Sequence, residues 1–163
     1  MTFTIRPARN EDDLRDAAAL MAAYAASLGL DLAYQNFDAE LAGLPGAYAP
    51  PEGELFLARD QGGSACGCVA LRPVAPEGCC EVKRLFIVPA ARGRGLGRAL
   101  VERVVEAAGA KGYREVRLDT LPTMGAAVGL YEEAGFRRIA PYYDPTPPGT
   151  IFMGRRLPAR SAT

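Results

Sequence analysis

The stretch Glu81-Val82-Lys83-Arg84-Leu85-Phe86-Ile87-Val88-Pro89-Ala90-Ala91-Arg92-Gly93-Arg94-Gly95-Leu96-Gly97 decides how the chain folds. Its first half, Glu81–Val88, is β-branched and apolar enough for a buried strand, and Pro89 ends it. Its second half is a basic, glycine-rich turn, and a helical pattern begins directly after Gly97. Strand, glycine-rich turn, helix is the order in which free N–H groups at a helix start can hold a phosphate. Glycines let the backbone approach the anion, and arginines supply counter-charge. Three arginines and three glycines within residues 92–98 exceed what a joining turn needs. Two phosphate motifs are excluded. A P-loop would end in Gly-Lys-Ser/Thr, where this chain has Gly97-Arg98-Ala99, and a dinucleotide fingerprint needs glycine where Arg98 stands.

Composition narrows the chemistry around that turn. The 163 residues fit one domain, 1–163, which can bury roughly 70% of its unfolded surface without a disulfide or metal. Lys+Arg and Asp+Glu are both 19, so nothing favours nucleic acid or an anionic membrane as a partner. Arg92, Arg94 and Arg98 form a local patch sized for a small polyphosphate. Histidine is absent. That removes Ser/His and Cys/His catalysis and leaves carboxylate, tyrosine, cysteine or water as general base. The uncharged run Ala17–Leu30 is too short to span a bilayer and reads as an alanine-rich core helix. The expected location is the cytoplasm.

Working outward, Thr2–Pro7 reads as an edge strand, and Asn10 caps a helix whose apolar face runs Leu14, Ala17, Ala18, Met21, Tyr24, Ala25 and Leu28, with Gly29 closing it. A weaker helix covers about Phe37–Leu44, and Pro45–Gly53 is loop. Strands are expected at Glu54–Arg59, Ser64–Arg72 and Cys79–Val88, with Pro73–Gly78 as a loop. The helix after Gly97 buries Leu100, Val101, Val104, Val105 and Ala108, and Gly112 caps it. A strand at Glu115–Thr120, a helix from Pro122-Thr123 to Gly135, and strands at Arg137–Tyr143 and Gly149–Leu157 follow. This is α/β, with a mixed, mostly antiparallel central sheet of about seven strands and about four helices.

Arg92, Gly95 and Gly97 after Ile87-Val88-Pro89 give Arg-x-x-Gly-x-Gly, which resembles the coenzyme A-binding motif of the GNAT superfamily of N-acetyltransferases. Leu130-Tyr131-Glu132-Glu133-Ala134-Gly135-Phe136 is similar to that family's helix end, and Ile5-Arg6-Pro7-Ala8 to its first strand. The resemblance implies that the strands Glu81–Val88 and Glu115–Thr120 are parallel and splay apart to admit acetyl-CoA. It implies an enzyme that moves the acetyl group to a primary amine by direct attack in a ternary complex. The amides of Gly93, Arg94, Gly95, Leu96, Gly97 and Arg98 would hold the pyrophosphate, with the side chains of Arg92, Arg94 and Arg98 as candidate partners. By the same resemblance, the main chain of Leu85, Phe86 and Ile87 would pair with the pantetheine arm as an added strand does. Tyr131 would protonate the departing thiolate. Glu81 would take the amine proton, the bland reading being a glutamate paired with Lys83 or Arg84, and Asp119 is the alternative carboxylate. Where many relatives have asparagine seven residues before the tyrosine, this chain has Met124, so one pantetheine contact is either missing or supplied elsewhere, with Thr120 and Thr123 as candidates.

Two features lie outside the motif. Cys66-x-Cys68 and Cys79-Cys80 could face each other across a hairpin, but they lack the usual zinc spacing and read as small buried thiols, with no metal. Tyr142 and Tyr143, beside Asp144 in a proline-rich loop, could cap an amine pocket through cation–π and charge contacts, or form a rigid loop or dimer contact. Residues near Tyr24–Phe37 would form the opposite wall. The acceptor, a small-molecule or peptide amine, is not legible, and the exposed terminal strands leave a homodimer open. A non-catalytic acetyl-CoA sensor and an enzyme for another acyl-CoA are the rival readings.

Overall fold

The protein is represented by a computed structural model that describes residues 2–28, 37–121, 125–144 and 146–158. Strand β1 (Thr4–Pro7) leads into helix α1 (Glu11–Leu28). The Asn10 side chain accepts a hydrogen bond from the Asp13 amide at 2.8 Å, which is the expected N-cap. The buried stripe of α1 is Ala17, Leu20 and Met21. Helix α2 (Phe37–Ala42) precedes strands β2 (Glu54–Arg59), β3 (Ala65–Val74) and β4 (Cys79–Ile87). Helix α3 (Leu96–Ala110), strand β5 (Glu115–Thr120), helix α4 (Gly125–Glu133) and strands β6 (Arg137–Arg138) and β7 (Ile151–Arg156) complete the order.

The seven strands form one sheet in the order β1-β2-β3-β4-β5-β7-β6. All neighbours are antiparallel except β4 and β5. Those two pair only at Cys79↔Glu115, Cys80↔Val116 and Glu81↔Arg117. Beyond Glu81 they separate, so the mixed sheet with splayed central strands is as the sequence implies.

Side chains alternate across a strand, and that alternation assigns each residue to a face. Cys80, Val82, Val116, Leu118 and Met153 pack with α3 and α4 residues, Tyr131 among them. Leu55, Leu57, Cys68, Ala70 and Phe86 pack on the other face against Ala17, Leu20 and Met21 of α1 and Phe37 of α2. Gly97 lets α3 close tightly, since a Cβ there would stand 3.0 Å from Ile87 Cδ1 and 3.1 Å from Leu130 Cδ2.

Three expectations are corrected. Strand β3 runs through Pro73 to Val74, opposite Cys80 and Cys79. The β2 ladder ends at Leu71, so one side of β3 is an edge there, where proline is tolerated. The strand expected at Arg137–Tyr143 is two residues long. One further bond, Ile139 N–H to the Phe152 carbonyl, extends it, but Pro141 has no N–H to continue the ladder. The cysteine pairs do not face each other. The hairpin sets Cys79 and Cys80 opposite Val74 and Pro73, whereas Cys68 pairs with Phe86 at the far end. All four are free, buried thiols. Gly29 and the Pro122-Thr123 start of the fourth helix lie outside the described residues.

Candidate active site

The splay turns the glycine-rich turn into one wall of a cavity of ≈ 700 Å³. Leu85, Phe86 and Ile87 of β4 line it, with Arg92, Gly93, Gly95, Leu96, Gly97 and Arg98. Ala126, Ala127 and Leu130 of α4 form the opposite side. Helix α3 starts at a left-handed glycine, Gly95 (φ 81°), and no side chain caps it. Its first ladder bond is donated by Ala99 to the Gly95 carbonyl. The amides of Leu96, Gly97 and Arg98 therefore have no partner within the helix and stand at its positive end. An added Cβ on Gly93 or Gly95 would meet nothing within 4 Å, so the backbone is open to close approach by a ligand. These features fit a pyrophosphate.

The arginines divide their work. Arg92 donates Nε to the Ile87 carbonyl at 2.9 Å and lies over the Phe86 ring, so it ties the turn to the end of β4. Arg98 pairs with Glu102 one helical turn on, both exposed. Arg94 is exposed and is not part of the cavity lining.

Strand β4 is bulged at the mouth of the splay. Its pairing with β3 steps from Lys83↔Ala70 to Phe86↔Cys68, so β4 carries one extra residue there. Arg84 sits in the bulge with φ +62°, a conformation that L residues rarely adopt. Its guanidinium is buried and bound to Glu40 of α2 through Nε at 2.8 Å and a second nitrogen at 2.9 Å. Burial works against its charge, and the Glu40 carboxylate outweighs burial and raises the guanidinium pKa. The Arg84 carbonyl accepts the Cys68 thiol at 3.3 Å. Sequence reasoning offered Arg84 only as a partner for Glu81. No composition or spacing signal marks a non-glycine bulge.

Glu81 and Tyr131 start from opposite faces. Glu81, between Cys80 and Val82, faces away from α3 and α4 and is 1% exposed. Arg72 Nε and a second guanidinium nitrogen each stand 2.9 Å from Oε1, and Lys83 Nζ lies 4.0 Å away. The Tyr142 hydroxyl donates to Oε2 at 2.5 Å. Asp119 on β5 shares the lysine and has a tyrosine of its own: Lys83 Nζ at 3.4 Å and the Tyr143 hydroxyl at 2.6 Å. Lys83 thus lies between both carboxylates. Burial pushes its ammonium pKa down, and Asp119 and Glu81 partly restore it. The two tyrosines spend their hydroxyls on carboxylates, and the Tyr142 ring already carries Arg117 at 5.4 Å. They pack edge-on against Phe152 at 5.1 and 5.4 Å. Sequence reasoning offered these tyrosines as a cap for an amine pocket and named Lys83 as a partner of Glu81, but missed Arg72, whose strand position carries no signal of the pairing.

Tyr131 is buried against Phe136. Burial raises its phenol pKa, and charge on Tyr24 and Asp119 adds to the rise. Met124 and Thr123 lie outside the described residues, while Thr120 is buried at the end of β5. Among the described residues, no cluster of three or more His, Cys, Asp or Glu could hold a metal ion. No described helix is long and apolar enough to cross a membrane.

A mixed sheet opened between two parallel strands, with a bare helix start at the opening, is the architecture of an acyltransferase fold. The chain belongs to the acetyltransferase (GNAT) family, whose sequence profile matches residues 18–136. It is 41% identical over 151 residues to an uncharacterized N-acetyltransferase of Schizosaccharomyces pombe, covering 93% of each chain. It is 34% identical over 110 residues to the N-acetylaspartate synthetase of Danio rerio, covering 68% of this chain and 39% of that one. Among solved structures it resembles Salmonella typhimurium yncA, determined with its cofactor acetyl-CoA. That match has a TM-score of 0.72 and 21% identity, covering 100% of this chain and 98% of that one. The protein is an acyltransferase enzyme of this family.

Proposed function

We propose that residues 1–163 form one acetyltransferase domain that moves the acetyl group of acetyl-CoA to a primary amine by direct attack in a ternary complex. The observation that carries the reading is the cavity between β4 and α4, with the uncapped start of α3 at its edge. The α3 amides and the Gly93–Gly95 backbone hold the pyrophosphate. The main chain of Leu85, Phe86 and Ile87, on the edge of β4 that β5 has left, pairs with the pantetheine amides. Holding donor and amine together removes much of the entropic barrier. Glu81 accepts the proton that the amine must lose. Its fixed place beside Arg72 and Lys83 keeps it oriented.

Tyr131 hydrogen-bonds the departing thiolate. Burial makes its phenol a weaker acid than a free one, but the same low-dielectric site also raises the pKa of the thiol formed. The proton can therefore be shared across a short hydrogen bond without the phenolate ever standing alone.

The test follows thiol release from acetyl-CoA in the presence of amines. L-aspartate comes first, because of the named activity of the Danio rerio relative, followed by other amino acids, polyamines and peptides with free N-termini. Amine-dependent thiol release, with the acetylated amine seen by mass spectrometry, is the expected result. Saturable acetyl-CoA binding with no release for any amine would make the protein a binder without turnover.

A further inference from the structure

Glu81 cannot be touched by an acceptor as it stands. It is 1% exposed, and both carboxylate oxygens are engaged. Oε1 is held by Arg72 with Lys83 near it, and Oε2 accepts the Tyr142 hydroxyl. Of these three neighbours, two can only donate. Guanidinium and ammonium have no acceptor site, whereas a phenol oxygen donates one proton and keeps lone pairs to accept another. Tyr142 is also half-buried, where Glu81 is fully buried. Its ring is clamped by Phe152 at 5.1 Å, Tyr143 at 5.5 Å and Arg117 at 5.4 Å, so its hydroxyl is held in one place.

From this geometry we infer that Tyr142 is the group that meets the acceptor amine, and that it relays the amine proton to Glu81. This rests on the reading of Glu81 as the base. The bound ammonium donates an N–H to Tyr142 Oη. As that proton crosses to Oη, the phenol's own proton crosses to Glu81 Oε2. One proton leaves the nitrogen, one arrives on the carboxylate, and Tyr142 ends neutral as it began. The freed nitrogen lone pair attacks the thioester carbonyl. A concerted transfer is required, because burial and the facing Glu81 carboxylate push the phenol's pKa strongly upward. Asp119 bears a similar tyrosine, Tyr143, but its side chain is 9% exposed, so it is the less sequestered of the two carboxylates.

The experiment compares the wild type, Tyr142→Phe, Glu81→Gln, the double variant and Tyr143→Phe, using the amine that turns over fastest in the thiol-release screen. Acetyl-CoA affinity and Tm are measured alongside, because Phe keeps the ring packing. Tyr142→Phe is expected to lower kcat about 10²-fold with little change in KM for acetyl-CoA. The double variant is expected to be no slower than Glu81→Gln, since both remove one proton path. In mixtures of light and heavy water, the wild-type rate should fall along a curve, because two protons move together. Tyr142→Phe within about threefold of wild type, or losses that multiply in the double variant, would overturn the relay while leaving Glu81 as base. Full turnover by Glu81→Gln would overturn the base itself. No thiol release with any amine would overturn both.

Discussion

Arg84 and Glu40 join the bulge of β4 to α2 through two parallel hydrogen bonds of 2.8 and 2.9 Å. The tether helps to offset the strain of Arg84 at φ +62°, a conformation that costs about 1–3 kcal/mol. Glu40→Ala would leave a guanidinium whose side chain is 3% exposed without its carboxylate. The expected loss is about 3 kcal/mol of stability, read from urea unfolding. Weaker acetyl-CoA binding should accompany it, because the bulge shapes the cavity wall. A loss below about 0.5 kcal/mol would mean that the bulge is held by other contacts.

The same pair sets an acid limit. Burial opposes the Glu40 carboxylate, but Arg84 outweighs it and holds the carboxyl below its ordinary value of 4.5. A depressed carboxyl stabilises the fold above its unfolded pKa and loses that contribution as pH falls through its folded pKa. Between about pH 5 and about pH 3, the wild-type Tm should fall further than that of Glu40→Gln, which has already lost the charge. Parallel curves would remove Glu40 from the acid response.

Tyr131→Phe keeps the ring against Phe136 and deletes only the hydroxyl. The expected result is a kcat lower by about 10²-fold, with acetyl-CoA affinity and Tm close to wild type. Turnover equal to wild type would show that another group, or water, serves the leaving thiolate.

The four cysteines should be inert in the folded protein. All are buried, and burial pushes the Cys68 and Cys80 thiols up to about 12. Since the thiolate is the reactive form, a disulfide reagent near neutral pH should label few thiols natively and all four after guanidinium unfolding. Fewer than four after unfolding would indicate a disulfide.

The sequence made the frame of the fold legible because its signals are local. Alternation marked β1 and β5, the apolar run Leu85–Val88 closed by Pro89 marked the end of β4, and a 3.6-residue period marked α3. The Gly93–Gly97 turn was legible because a helix start without a side-chain cap, preceded by left-handed glycines, has a compositional signature. What escaped depends on partners far along the chain. The bulge at Arg84 is fixed by Glu40, 44 residues away, and the enclosure of Glu81 by Tyr142, 61 residues away. Lys83 was legible as a neighbour of Glu81, but not its second carboxylate, Asp119, 36 residues away. Pro73 looked like the end of a strand because its tolerance at an edge depends on where β2 stops.

The most direct measurement is a calorimetric titration of the purified protein with acetyl-CoA, with CoA and dephospho-CoA alongside. The account predicts one saturable site of micromolar affinity for acetyl-CoA and CoA. Binding should survive loss of the 3′-phosphate in dephospho-CoA, because the α3 amides hold the pyrophosphate. No heat of binding at high protein concentration would contradict it and leave the Gly93–Gly97 turn without the anion assigned to it.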